Sequence, residues 1–129
     1  MKQPDITIAL DFDGTVVSHR YPHIGEEAPY AVEVMKKWID KYHIGFILDT
    51  MRDGKELEEA IKWFSDRGVV LYAIGKDPDQ GTWTTSNKAH ANFSIDDRNV
   101  GCPMKKGVVD WETIDKMMTP LFDSIFFNT

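Results

Sequence analysis

The run Ile6-Thr7-Ile8-Ala9-Leu10 constrains this chain more than any other stretch. It is apolar on both faces apart from Thr7, the pattern of a central strand in a parallel sheet rather than of a half-solvated antiparallel one. It runs directly into Asp11-Phe12-Asp13-Gly14-Thr15. A buried strand therefore ends in two carboxylates one residue apart, and a glycine then lets the chain turn. Like charges about 4 Å apart in a partly buried site repel by roughly 4 kcal/mol. A hard divalent cation with oxygen ligands is the natural compensation.

Other apolar segments alternate with this strand. Ala31, Val34, Met35, Trp38, Ile39 and Tyr42 recur at helical spacing, so a first helix is expected from about Tyr30. A second strand is expected over 44–48. Asp53 followed by Glu56 has the spacing of a capping box and opens a second helix with Leu57, Ala60, Ile61 and Phe64 on its apolar stripe. Gly68 stops that helix. A third strand is expected over 69–74, a polar loop over 75–87 and a short fourth strand over 93–95. Asp110 caps a last helix over 111–118, Pro120 breaks it, and 121–127 packs as an apolar tail. Strands alternating with helices predict an α/β fold, Rossmann-like and three-layered, around a central parallel sheet with right-handed crossovers.

The chain has 129 residues, the size of one domain, spanning 1–129. Its net charge of -6 disfavours broad binding to nucleic acid or anionic membranes, which calls for a basic face. The single cysteine, Cys102, permits no intrachain disulfide and reads as structural. The start, Met1 to Asp5, lacks the pattern of a signal peptide, and no apolar run is long enough to span a membrane, so a cytoplasmic protein is expected. His19, His23, His43 and His90 show no metal-ligand spacing and read as surface or loop residues.

In open parallel sheets, ligands bind at the carboxyl ends of the strands. Asp11 and Asp13 stand at the end of the first strand, and Asp49, Thr50 and Arg52 at the end of the second. Lys88 stands before the fourth strand, which ends in Asp96-Asp97. Taken singly, Thr50 is an ordinary strand-end hydroxyl, Lys88 a solvated loop charge and Asp96-Asp97 a turn cap. Their joint placement is the signal.

That order resembles the haloacid dehalogenase-like superfamily, whose usual members are magnesium-dependent aspartyl phosphatases. The first motif, Asp-x-Asp-Gly-Thr, matches Asp11 to Thr15. Thr50 matches the hydroxyl ending the second strand, Lys88 the lysine ahead of the last core strand, and Asp96-Asp97 the acidic pair closing it. The resemblance implies a phosphomonoester hydrolase. Asp11 is then the nucleophile that forms an aspartyl-phosphate. Asp13 protonates the leaving oxygen and later activates water. Thr50 and Lys88 contact the transferring group. Gly14, Thr15 and Arg52 are candidates for substrate contact, Arg52 having the alternative of balancing Asp49 or Asp53. The resemblance also implies Mg2+, reached by Asp11 and the backbone carbonyl of Asp13, with Asp96 completing its coordination directly or through water and Asp97 supporting or joining the ligands.

The family often carries a cap domain, for which 16–29 and 75–87 are too short here. A capless, open site admits a phosphorylated small molecule, a phosphorylated macromolecular end or part of a second copy of the chain. The segment 18–23, with Arg20 and Tyr21, is the candidate substrate-facing flap, and Trp83 the aromatic nearest substrate. A phosphotransferase, a phospho-accepting signalling domain and a non-catalytic protein on the same fold are the competing readings.

Overall fold

The computed structural model describes residues 3–127. Four parallel strands form the sheet: β1 (Thr7–Leu10), β2 (Gly45–Leu48), β3 (Ala73–Ile74) and β4 (Phe93–Ile95), in the spatial order β3-β2-β1-β4. Helix α1 (Ala31–Tyr42) joins β1 to β2, and α2 (Gly54–Asp66) joins β2 to β3. A 3-10 turn, Gln80–Thr82, lies in the long return to β4. A small antiparallel hairpin, β5 (Met104–Lys105) and β6 (Val108–Val109), precedes α3 (Trp111–Phe127). No described helix is long and apolar enough to cross a membrane.

The two crossovers β1-α1-β2 and β2-α2-β3 run in the same direction, and right-handedness puts both helices on one face of the sheet. Alternate strand residues Ile8, Leu10, Phe46, Leu48 and Ile95 share one buried cluster with residues of all three helices. Thr7, Ala9 and Ile47, which point the other way, are buried outside that cluster. The return from β3 at one edge to β4 at the other crosses this second face as a loop. The sheet is thus covered on both faces, but among the described residues the α-helices lie on one face only and the other layer has no α-helix.

The strand and helix expectations for β1, α1, β2 and β4 hold to within a residue. Four others need correction. Asp53 stands at the N-cap of α2 in an extended conformation, yet its side chain makes no cap hydrogen bond. The third strand shrinks to two residues, because β3 is an edge strand and Val70 is exposed. The hairpin β5–β6 lies where the sequence pattern predicts no strand. Lys106 and Gly107 both take positive φ in its turn (52° and 82°), as the tightest hairpin turns require.

Finally, Pro120 does not end α3. An interior proline costs about 3 kcal/mol through a lost hydrogen bond and a clash. Aromatic packing on the continued helix offsets it. Phe122 is fully buried, 5.1 Å from the Trp38 ring and 5.2 Å from that of Tyr42. The Tyr42 hydroxyl also donates to Asp123 Oδ1 at 2.6 Å. The expected start of this helix holds. Asp110 Oδ1 accepts from the Thr113 N–H at 3.2 Å, and Asp110 Oδ2 from the Thr113 hydroxyl at 2.7 Å.

Candidate active site

The chain leaves β1 toward β2 on one side and returns to β4 on the other. The switch point thus falls between β1 and β4, where open α/β sheets form their ligand crevice. Asp11 lies at the end of β1 and its N–H donates to Ile95 O of β4 at 3.0 Å. Asp96 and Asp97 follow Ile95 directly. Carboxylate oxygens of Asp11, Asp96 and Asp97 all lie within 4.8 Å of one another. They line a cleft of about 520 Å³ together with Asp13, Asp49, Thr50 and Arg52.

Thr15 positions this cluster. It is fully buried, and its hydroxyl donates to Asp11 Oδ2 at 2.9 Å while accepting the Asp97 N–H at 3.0 Å. Its carbonyl in turn accepts from the buried Trp111 indole at 2.8 Å. One hydroxyl therefore spans the β1 and β4 ends, and α3 pins it from behind. Thr15 is a positioning residue rather than the substrate contact expected from the sequence. Gly14 is likewise structural. It turns the chain at φ +85°, and a Cβ there would collide with the His19 and Asp97 side chains.

Arg52 corrects the sequence expectation most. Its side chain is buried and forms a bidentate pair with Asp13, Nε to Oδ2 at 2.7 Å and NH2 to Oδ1 at 2.8 Å. NH2 also donates to His23 O at 2.8 Å, and NH1 to Pro22 O and Glu56 O at 3.3 and 3.4 Å. A guanidinium has five N–H donors, and all are engaged. Arg52 has none left for a substrate, and it balances neither Asp49 nor Asp53. It ties Asp13, the flap backbone and the start of α2 together.

The flap residues divide. His19, read from sequence as a surface residue, reaches the cleft and contacts Asp97 Oδ2 through Nε2 at 3.0 Å. Its sequence neighbours carry no signal of this. Tyr21 lines the cleft and lies over the Arg52 guanidinium. Arg20 is not in the lining. Arg98, which follows the acidic pair, is.

Thr50 lines the cleft, and its hydroxyl accepts the Arg52 N–H at 3.1 Å. Lys88 is not brought to the site. It is exposed, outside the cleft lining, and its carbonyl accepts from the buried Gln80 side chain at 2.9 Å. Trp83 also lies elsewhere, exposed, with its ring against His90 at 5.2 Å. Cys102 lines the apolar groove between β4 and α3 rather than the cleft, close enough to the backbone of Asp96 for its thiol to hydrogen-bond there.

Clustering marks the carboxylates electrostatically. Asp11 is pushed up to about 7. Burial is the largest cause, opposed by the Thr15 hydrogen bond and reinforced by the negative charge of Asp96. Asp49 is also raised, by burial and then by Asp96. Asp97 lies below the ordinary carboxylate value. Burial works against its ionisation, and hydrogen bonds from His19 and Asp11 outweigh it. Such a site gains from a cation. Three convergent hard oxygen donors suit Mg2+, which keeps several waters and needs few protein ligands.

No protein-family model matches the chain, and no curated protein matches it. A conserved protein from Bacteroides thetaiotaomicron, of known structure, is 44% identical to it. The match covers 94% of this chain and 97% of that one, with a TM-score of 0.76. The chain belongs to the family of that conserved protein. The kinship spans nearly the whole fold, so the α/β sheet and its carboxyl-end cleft sit within the shared region. It assigns no activity, and the chemistry rests on the site itself.

Proposed function

We propose that this chain is a magnesium-dependent phosphomonoester hydrolase of the haloacid dehalogenase-like type, without a cap domain, acting through an aspartyl-phosphate. One observation carries the reading: Asp11, held by Thr15, meets the Asp96-Asp97 pair at the switch point of a parallel sheet. A turn cap or surface acidic patch would not need a buried hydroxyl to hold its carboxylate against two others.

Asp11, Asp96 and Asp97 would hold Mg2+, with the Asp13 carbonyl as a further candidate ligand. The ion would neutralise the cluster and the phosphoryl oxygens. The chain's own residues do the rest. A carboxylate oxygen of Asp11 attacks phosphorus, and the bond to the leaving oxygen breaks. Asp13 supplies the proton to that oxygen, then takes one from the water that attacks phosphorus, freeing Asp11 and inorganic phosphate. The Arg52 clamp fixes the orientation of Asp13, and each of its carboxylate oxygens keeps another lone pair to accept the proton from water in the second step. Thr50 stands in the cleft to donate to a phosphoryl oxygen.

The test is phosphate release from a broad phosphomonoester panel, with Mg2+ and with chelator, in the wild type and Asp11→Asn. Turnover that needs Mg2+ and disappears in Asp11→Asn is the expected result. Turnover surviving in Asp11→Asn would sink the nucleophile assignment.

A further inference from the structure

The floor of the cleft is acidic, but its rim is not. Tyr21, from the flap, and Met51, after β2, both line the cleft and are 58% and 93% exposed. Tyr21 is preorganised. Its ring lies 5.2 Å from the Arg52 guanidinium, which is itself held by all five of its donors. Met51 is an adaptable, polarisable side chain suited to lying against a planar ring. Arg98 stands at the cleft, exposed and without an ion pair among the described residues.

Size and charge narrow the ligand. A cleft of about 520 Å³ falls within the ~300–1,000 Å³ of pockets that enclose a whole organic ligand. A phosphate and a cation fill only the floor. Five carboxylates, those of Asp11, Asp13, Asp49, Asp96 and Asp97, face this space. They penalise a second anionic group on the leaving side, which disfavours bisphosphates and polynucleotide backbones. A neutral, planar leaving group meets no such penalty.

Resting on the phosphatase reading, we propose that Tyr21 and Met51 form a platform for the ring of a nucleoside monophosphate, with Arg98 placed to hydrogen-bond the edge of the base. Tyr21 and Met51 are then the specificity-determining residues of the site. Stacking of a base on an aromatic side chain is sequence-tolerant, so the platform favours nucleotides as a class over sugar phosphates.

The test compares nucleoside 5′-monophosphates with ribose 5-phosphate, which has the same ester and sugar and lacks the base. With Mg2+ present, wild type is expected to favour the nucleotides about tenfold or more in kcat/KM, mainly through KM. Tyr21→Leu and Met51→Ser should lower kcat/KM for nucleotides more than for ribose 5-phosphate and so bring the two esters together, while Tyr21→Phe keeps the preference. Equal wild-type values for the two esters would overturn the proposal, as would variants that lower both alike. Phenyl phosphate outperforming the nucleotides would overturn the nucleoside assignment in favour of a simple aryl ester. Other esters of the panel turning over without these two would overturn the nucleotide assignment, and if no ester is hydrolysed the phosphatase reading fails separately. Calorimetry with Mg2+ then decides the platform: tighter binding of nucleotide than of ribose 5-phosphate supports it, and equal binding overturns it.

Discussion

Two loops flank the cleft, and they are held differently. The flap over 18–23 is stitched into the site. Its Pro22 and His23 carbonyls accept from Arg52, its Tyr21 ring lies over the same guanidinium, and its His19 reaches Asp97. The β3–β4 loop over 75–92 is tied to β1 and β2 at its two ends and to Gln3 at Asp79, and is otherwise stitched to itself. The buried Gln80 side chain donates to Lys88 O and accepts from the Asp77 and His90 N–H groups. Both loops carry cations, but only the first is cross-linked to a carboxylate of the site. Membership of the cleft thus follows from where buried donors find acceptors, rather than from which charged residues a loop contains.

The strongest break of this comparison is Arg52→Ala. It strands Asp13 and releases the flap. Removing one partner of a buried ion pair costs about 3–5 kcal/mol, read as a lower urea midpoint, together with near-complete loss of turnover. Arg52→Lys should rescue little, since an ammonium cannot supply the planar bidentate fork. Full stability and activity in Arg52→Lys would mean that the clamp is dispensable.

The next effect is on pH dependence. Folding raises Asp11 from 3.8 to about 7. The folded protein then holds a proton that the unfolded chain has released. Metal-free stability from this group is full below pH 3.8 and is lost as the pH rises through about 7. Thermal unfolding in chelator should therefore show a lower Tm at pH 8 than at pH 6. On the proposed function, added Mg2+ should favour the carboxylate form and raise the pH 8 value most. Asp11→Asn should flatten the chelator profile and reduce the response to Mg2+. An unchanged profile in Asp11→Asn would place the charge burden elsewhere in the cluster.

The smallest expected effect is that of Lys88→Gln. Lys88 is exposed and outside the cleft lining, so kcat/KM should fall less than in Arg52→Ala, with no change in the urea midpoint. A loss as deep as that of Asp11→Asn would mean that the 75–92 loop carries Lys88 to the cleft when substrate binds, and that the two loops differ only in the free protein.

Much of the site's frame was legible beforehand. Ile6 to Leu10 and the run ending at Ile95 read as buried strands, and a parallel sheet gathers strand ends on one side. The sequence pattern alone therefore brings Asp11, Asp96 and Asp97 together. Arg52 could not be assigned its partner, because Asp13, Asp49 and Asp53 are all acidic and only the fold decides which is near. His19 carried no periodicity or motif. Pro120 was read by its local cost, while the opposing contribution came from Trp38 and Tyr42, far away in sequence.

The amino-acid order alone determined the strand–helix alternation and the carboxylates at the ends of β1 and β4, because periodicity and strand termini are local properties. The tertiary structure alone decided that Arg52 clamps Asp13, that Thr15 bridges Asp11 to Asp97, that the flap belongs to the cleft and that Lys88 stands outside it. A buried guanidinium or hydroxyl must satisfy its hydrogen bonds with whatever groups the fold brings near, and that choice is made over long separations that no local pattern records.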